Sequence, residues 1–547
     1  VSPDRRGLLG LALTLAGPLG SGCLFTDPSP KLAHDSAETP PPFGEAGIVL
    51  NEVMPGNEST VMTEDLRFSD WVELLNLGGD AIEFDRVSLS IDGEAPWRGP
   101  SGVEFAPGEH VLVWADAGEG AFHAPFSLSR KGERLELGLD GDLVDRIDTG
   151  PMAADVSWAR FPDGGAWLPT GRPSPGWSNG SQPGPLDPTE DIFQLGRTQE
   201  IRLWISDSAW AALNTDTDPD PAVHQNLEVS AAMAFGPAWF PEVGVHIKGA
   251  WGSRRSMEQK VALKLNLDAF EEHRLRGLES VTLNNMVQDL SYVHEYLAYA
   301  LFRAAGIPAP RVAWTRLYLN DEFRGLYLWV ESEDDPFLER WYADPSGSLY
   351  EGAYGVDFYS GYESLFEHEE GPDPAGRPAL TAIAACLDGE ATDEAVVTLD
   401  TLLDLDQFLL NMAIEVLTLH WDGYTTSNNY RLYQDPLDGR FDILPWGTDQ
   451  TFVSYSYGPW GGWGRVFAFC VSNDACRRRY DRILLETIDL MESLALDVML
   501  DEALSVLEDD IAEDAWREYG VDYVTWYQDY TREMITTWPA SIRAQVE

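Results

Sequence analysis

The side chains best suited to chemistry in this chain of 547 residues fall in two acidic loops and one lysine-bearing stretch. The run HWDGYTTSNNYRLYQDPLDGRFDILPWGTDQTF begins at His420. An apolar stretch of helical periodicity ends there in His420–Trp421–Asp422, and Gly423 breaks it. Asn428 and Asn429 follow on the same short loop, and Asp449 stands after a second strand-like run. Two nearby carboxylates with an amide oxygen, from Asn428 or Asn429, make a hard-oxygen site suited to Mg²⁺. One carboxylate is placed to orient a hydroxyl and take its proton. Upstream, three of only five lysines, Lys248, Lys260 and Lys264, lie between positions 248 and 264. A lysine is a compact point charge on a flexible stem, suited to phosphate. The plain alternatives are a solvated strand pair for the lysines and, for the acids, a turn-rich hairpin with Asp422 as a helix C-terminal turn residue and Asp449 as a solvated loop acid.

The elements that must hold these groups can be read from periodicity. EVGVHIKGAWGSRRSMEQKVALKLNLD (242–268) predicts two strands joined by a polar loop. Val261, Leu263, Leu265 and Leu267 share one face by period two. Lys260 and Lys264 then share the other, ~13 Å apart at ~3.3 Å per residue. Lys248 likewise lies opposite Val245 and Ile247. The loop between, with Gly252, Ser253, Arg254 and Arg255, has the composition of a phosphate cradle. DLSYVHEYLAYALFRAAG predicts a helix capped by Asp289 or Ser291 and ended by Gly306 and Pro308. Glu295 on it reads as a solvent-facing acid, with pairing to a strand lysine as the alternative. RVAWTRLYLNDEFRGLYLWVESED (311–334) predicts a hairpin. LLDLDQFLLNMAIEVLTLHW predicts the most regular helix, NNYRLY and RFDILPW predict strands, and the tail from 480 predicts acidic helices.

Before residue 190 the texture differs. GIVLNEV, DWVELLNL, HVLVWA and RLELGL are short strand runs punctuated by Gly and Pro, which predicts an all-β sandwich over 46–178 with Trp97, Trp114 and Trp158 in its core. Residues 179–189 read as a linker. GWSNG (176–180) fits a nucleophile-elbow pattern, but the prolines around it exclude the strand and helix that motif needs. NTDTDPDP (214–221) reads as a solvated turn, because it lacks the Gly and Glu of a calcium loop. Formal charge is −54 and sequence pI about 4.3. That surface repels phosphate backbones and excludes nucleic-acid binding; it attracts cations and basic partners. No C-x-x-C pair or H-E-x-x-H spacing is present, which disfavours cysteine zinc sites and zinc proteases.

The N-terminal residues VSPDRRGLLGLALTLAGPLGSGC resemble a lipoprotein export signal. Residues 1–22 would be the signal, Cys23 the lipidated residue, and the Pro-rich 23–45 a tether. With Cys23 lipidated, Cys470 and Cys476 are placed to close a small disulfide loop in an oxidising compartment, leaving Cys386 a buried thiol.

Two longer resemblances set the expected architecture. IVLNEVMPG, SDWVELLNLGGDAIEFDRVSLS, APGEHVLVWAD, VSWARFPDGG and SPGWSNG resemble the lamin tail domain, an immunoglobulin-like module for binding or spacing. VHIKGAWGSRRSMEQKVALKLNLD, LNNMVQDLSYVHEYLAYALFRAAGIPAPRVAWTRLYLNDEFRGLYLWVESED, SLYEG, HWDGYTTSNNYRLY and GRFDILPWGTDQTF resemble, in order, the spore-coat protein H (CotH) kinases. The resemblance implies an α+β atypical protein-kinase-like domain over 190–547, helical toward its C-terminus, using ATP with Mg²⁺ or Mn²⁺. Its acceptors would be Ser or Thr hydroxyls of proteins, here basic or Ser/Thr-rich ones. Matched residue by residue, Asp422 would be the catalytic base, and Asn429 and Asp449 the metal ligands. Lys248, Lys260 and Lys264 would meet the ATP phosphates, Glu331 would lie near the nucleotide, and Trp446 would stack on adenine. Two positions depart from the family: Gly447 stands where an Asp is usual, and Glu351 where a Lys is frequent. The rival expectation is a non-catalytic surface or scaffold protein with a nucleotide-binding pseudokinase domain.

Overall fold

The structure, a computed structural model, describes residues 47–91, 95–453 and 457–547. The expected signal, tether and Cys23 lie outside the described residues. The chain is multidomain and mixes β and α structure, with a β-rich N-terminal part.

That part holds two sheets. One orders the strands Ala166–Thr170, Ser157–Phe161, Ile48–Met54, Trp71–Asn76, His110–Ala115 and His123–Ala124. The other orders Asp142–Asp148, Arg134–Leu139, Val87–Ile91 and Trp97–Arg98. Leu50, Val53, Val72, Leu74, Leu89, Leu135 and Leu137 form a shared core, with Trp97 buried in it and Trp158 packed against it. Trp114 belongs to a smaller cluster with Met54 and Trp71. Ile48–Met54 is buried at every position, so its second face is covered too. There the strand pair sets Glu52 opposite Glu73. Ser174 and Gly176 of SPGWSN donate their backbone amides to those carboxylates, and the Asn179 amide nitrogen donates to the Asn51 and Arg160 carbonyls. The segment after the last strand is therefore folded back onto the sheet. Further along, Arg311 bonds Asp187 and Thr189, tying this segment to the next domain.

A seven-stranded closed barrel follows, in the order Gln199–Trp204, Val229–Phe235, Ala238–Ile247, Leu263–Asn266, Ser280–Asn284, Glu322–Val330, Val312–Leu319. Parallel pairing of Gln199–Trp204 with Val312–Leu319 closes it, which leaves no open edge. Alternate residues such as Val245, Ile247, Leu263, Leu265, Leu283 and Trp329 fill the interior. His246, Lys264 and Thr282, aligned across three strands, then face outward.

The helix His294–Ala304 leaves the barrel and is buried along nine of its eleven positions, so it is central rather than superficial. It begins later than its sequence suggests, because Asp289 accepts from the backbone amides of Ser291, Tyr292 and His294 and folds a preceding turn. Beyond the hairpin lie a four-stranded sheet (Glu367–Glu370, Ser348–Gly352, Tyr430–Gln434, Phe441–Pro445), the buried helix Leu405–Thr418, and the helices Asp474–Leu494, Leu496–Glu513 and Val521–Val546. One core joins them to His294–Ala304. Cys470 and Cys476 are disulfide-bonded, while Cys386 is half-buried rather than buried. Asp216 in NTDTDPDP is not solvated: it is buried and binds Arg254 and the amides of Gln225 and Leu227. Among the described residues no helix is long and apolar enough to cross a membrane.

Candidate functional site

Asp422 is held by three side-chain amides. Asn428 Nδ2 donates to its Oδ1 at 3.1 Å; Asn429 Nδ2 and Gln450 Nε2 donate to its Oδ2 at 3.1 and 2.9 Å. The loop is shaped from below. The helix Leu405–Thr418 ends at Leu419 in the left-handed region, and the buried Glu415 carboxylate accepts from the amides of Tyr424 and Thr425 and the Thr425 hydroxyl. Burial pushes the Asp422 carboxyl up, opposed by the Asn428 and Asn429 hydrogen bonds. It is oriented on both oxygens, as a group that must aim at a hydroxyl requires.

Asp449 sits one loop away, in a short turn after the strand Phe441–Pro445. His420 reaches across to the Gly447 carbonyl, with Nε2 at 3.3 Å. Burial lowers the pKa of His420 to about 4, so at neutral pH it is uncharged and its Nε2–H can donate to that carbonyl. Gly447 has φ +56°, and a Cβ there would lie 3.0–3.2 Å from the Asn429 side-chain amide. The glycine thus makes room for Asn429. The Asp449 carboxyl is pushed up by burial and by the nearby Glu295 and Asp289 carboxylates, against the pull of Lys248.

The barrel supplies the opposing wall. Lys248 Nζ donates to Asn284 Oδ1, and Asn284 Nδ2 donates to Glu295 Oε2 at 2.7 Å. Glu295 is 1% exposed, and its other oxygen has no hydrogen-bond partner among the described residues. The expectation of a solvent-facing Glu295 is therefore corrected, because the helix carrying it is central. Lys248 also lies 5.6 Å from the Trp446 ring centre, and the Arg431 guanidinium lies 4.6 Å from it. A base stacked on half-buried Trp446 would share that ring with cations. Glu351, read in the sequence as a departure from the resembling family, pairs with Arg431 at 2.7 Å.

Two expected phosphate or nucleotide contacts are elsewhere. Lys260 is buried, bonded to Asp514 at 2.6 Å and to the Tyr292 hydroxyl. The strand begins only at Leu263, so the period-two alternation never reaches Lys260. Glu331 is engaged by Arg311 and Arg340. Lys264 stays on the outer barrel face, half-buried, with no hydrogen bond or ion pair among the described residues. Sequence reasoning missed Asn284, Gln450 and the reach of His420; the only signal for His420 was its place two residues before Asp422.

Among the described residues no three His, Cys, Asp or Glu side chains form a ready ligand cage for a metal. A Mg²⁺ that arrives with a nucleotide does not need one: it keeps waters and phosphate oxygens and takes one or two protein carboxylates. Asp449 fits that demand. Asn429 also fits, since its nitrogen serves Asp422 and its Oδ1 lies beside Gly447. Asp449 and Glu295 crowd around a single lysine, with burial raising both carboxyls, and a divalent cation beside them would favour their ionised forms.

Comparison with known proteins places the chain in a family. Residues 245–538 match the family model described as CotH kinase protein, more than half of the chain. The chain belongs to the CotH kinase family. It is 23% identical over 301 residues to Inner spore coat protein H of Bacillus subtilis (strain 168), covering 50% of this chain and 75% of that protein. It is 29% identical over 186 residues to Invasin CotH3 and 28% to Invasin CotH2 of Rhizopus delemar, covering 31% of this chain and 31% of each. A solved structure of the Helicobacter pylori proinflammatory kinase CtkA aligns with 58% of this chain and 94% of its own at 6% identity. Its TM-score of 0.24 is too low to bear on the fold.

Proposed function

We propose that this protein is an exported atypical protein kinase, transferring phosphate from ATP, with Mg²⁺ or Mn²⁺, to Ser or Thr of basic or Ser/Thr-rich surface proteins. The observation that carries the reading is the pair of knitted loops: Asp422 held on both oxygens by Asn428, Asn429 and Gln450, with Asp449 across from it. Asp422 orients the acceptor hydroxyl and receives its proton as attack proceeds. Lys248, steadied by Asn284 and Glu295, meets phosphate oxygens, with Lys264 as a second, outer cation. Asp449 and Asn429 hold the metal, which when bound screens charge on the phosphates. Catalysis in this arrangement is positioning and charge stabilisation. The N-terminal signal and Cys23 would deliver a lipid-anchored protein to a membrane or cell surface, and the β-rich part would serve as a lamin-tail-like, immunoglobulin-like binding or spacing module.

The test is labelled ATP with Mg²⁺ or Mn²⁺ and a basic Ser-rich acceptor, beside Asp422→Asn. Transfer should fall ~10²-fold or more in the variant while nucleotide binding persists. Absence of metal-dependent nucleotide binding in the native protein would overturn the reading. A second reading, nucleotide binding without transfer, is favoured by Gly447, which leaves one carboxylate in its loop. It stands if ATP binds and no acceptor is ever labelled.

A further inference from the structure

The C-terminal helix Val521–Val546 and the turn before it carry an uncovered aromatic face. Tyr519, Tyr523, Trp526 and Tyr530 recur at spacings of four, three and four, which brings them to one side of the helix. Tyr519, Tyr523 and Trp526 are 44%, 43% and 54% exposed. The rings pack on one another: Tyr523 and Trp526 lie 5.7 Å apart at 15°, Trp526 and Tyr530 5.6 Å apart at 18°. Contiguous exposed aromatic area of this kind marks an interaction site more often than a bare surface.

The surroundings select the partner. Asp522 lies one turn before Trp526, Asp529 one turn after it, and Glu533 one turn after Tyr530. Asp522 and Glu533 have no ion pair among the described residues, whereas Asp529 shares Arg532 at 3.2 Å. Elsewhere the molecule covers its rings with arginine: Arg324 lies 3.6 Å from the centre of Trp516, Arg202 4.1 Å from Tyr318, and Arg477 4.2 Å from Trp460. Among the described residues no lysine or arginine lies over the Tyr519, Tyr523, Trp526 or Tyr530 rings.

We propose that this face docks an arginine- and lysine-rich segment of a partner protein, its cationic heads on the rings and its charge met by the flanking acids. Charge complementarity argues for this occupant: aromatic faces attract cations, and a molecule of net charge −54 draws them from a distance. An anionic membrane would be repelled by the same field. A glycan could use the flat rings but would gain nothing from the charge. The docking does not depend on phosphotransfer, so it stands or falls apart from the kinase reading.

The test uses the full chain and a fluorescently labelled Arg/Lys-rich peptide, followed by anisotropy, with a glutamine-substituted peptide of equal length as control. The rings are on the surface, so Tyr523→Ser/Trp526→Ser should keep the native melting temperature. Affinity for the cationic peptide should fall about tenfold or more in that variant. Asp522→Asn should weaken binding at low salt and much less at high salt. Unchanged affinity in the double serine variant would overturn the proposal, as would preferential binding of soluble oligosaccharides or anionic vesicles by the native protein.

Discussion

Gly447 has more structural content than a missing acid. It adopts φ +56°, and the Asn429 amide occupies the space a side chain would need. Asn429 in turn orients Asp422. An Asp at 447, the residue expected there from the sequence resemblance, therefore does not simply add a metal ligand. Gly447→Asp puts a side chain into the left-handed region and crowds Asn429, at a cost of about 1 kcal/mol. We expect a lower melting temperature and no gain in metal-dependent nucleotide affinity. A variant that binds nucleotide more tightly at unchanged stability would show that the site lacks an acid rather than space. At this scale the nearness of Asp422, Asn429 and Asp449 was legible, because they flank the two ends of one hairpin, Tyr430–Gln434 and Phe441–Pro445. Asn284 was not, and Glu295 was read chiefly as a solvent-facing acid, since the burial of its helix depends on packing that periodicity does not report.

Elements decide which polar residues are structural. Lys260 and Lys264 look equivalent in KVALKLNL, yet only Lys264 lies on the strand. Lys260 turns inward to Asp514, 254 residues away, a partner no local pattern can reveal. Breaking a buried pair leaves one charge uncompensated. Lys260→Met should thus lose about 3–5 kcal/mol of stability, and adding Asp514→Asn should recover part of it. Nucleotide affinity of the folded fraction should match the native protein in both, whereas Lys248→Met should lose it. Denaturant melts with nucleotide titrations separate these outcomes. The β-rich part offers a parallel case in the cross-strand pair Glu52 and Glu73. Burial, with Glu73 adding to it, raises the pKa of Glu52 from 4.5 to about 8. Between those values the folded state holds a proton that the unfolded chain has released, so this group's contribution to stability falls as pH rises across that window. Glu52→Gln should flatten the decline, gaining on the order of 1 kcal/mol relative to native at pH 8. Equal pH profiles of melting temperature for the two proteins would exclude the assignment. Strand and helix runs were legible from periodicity; barrel closure was not, because it rests on one parallel pairing between segments more than a hundred residues apart.

The whole molecule carries 91 acidic and 37 basic side chains. Even if every arginine and lysine paired with one acid, 91 − 37 = 54 acids would remain without a cation. Exposed ion pairs are worth about 0–1 kcal/mol each, and salt weakens them. Salt also weakens repulsion among the surplus acids, and these outnumber the basic groups. The screening length shrinks from about 30 Å at 0.01 M to about 3 Å at 1 M. That span runs from much of a domain's width to a single contact, so repulsion that acts across the surface at low salt becomes local at high salt. The balance therefore favours stabilisation by salt. The melting temperature should climb steeply as NaCl rises from 0.01 M, then level off as screening saturates. Replacing NaCl with KCl should give the same curve, since screening depends on ionic strength and not on the ion. A melting temperature that is flat or falls over the low-salt range would mean that the arginine pairs outweigh the surplus acids. A curve that differed sharply between the two salts would point to specific cation binding instead of general repulsion.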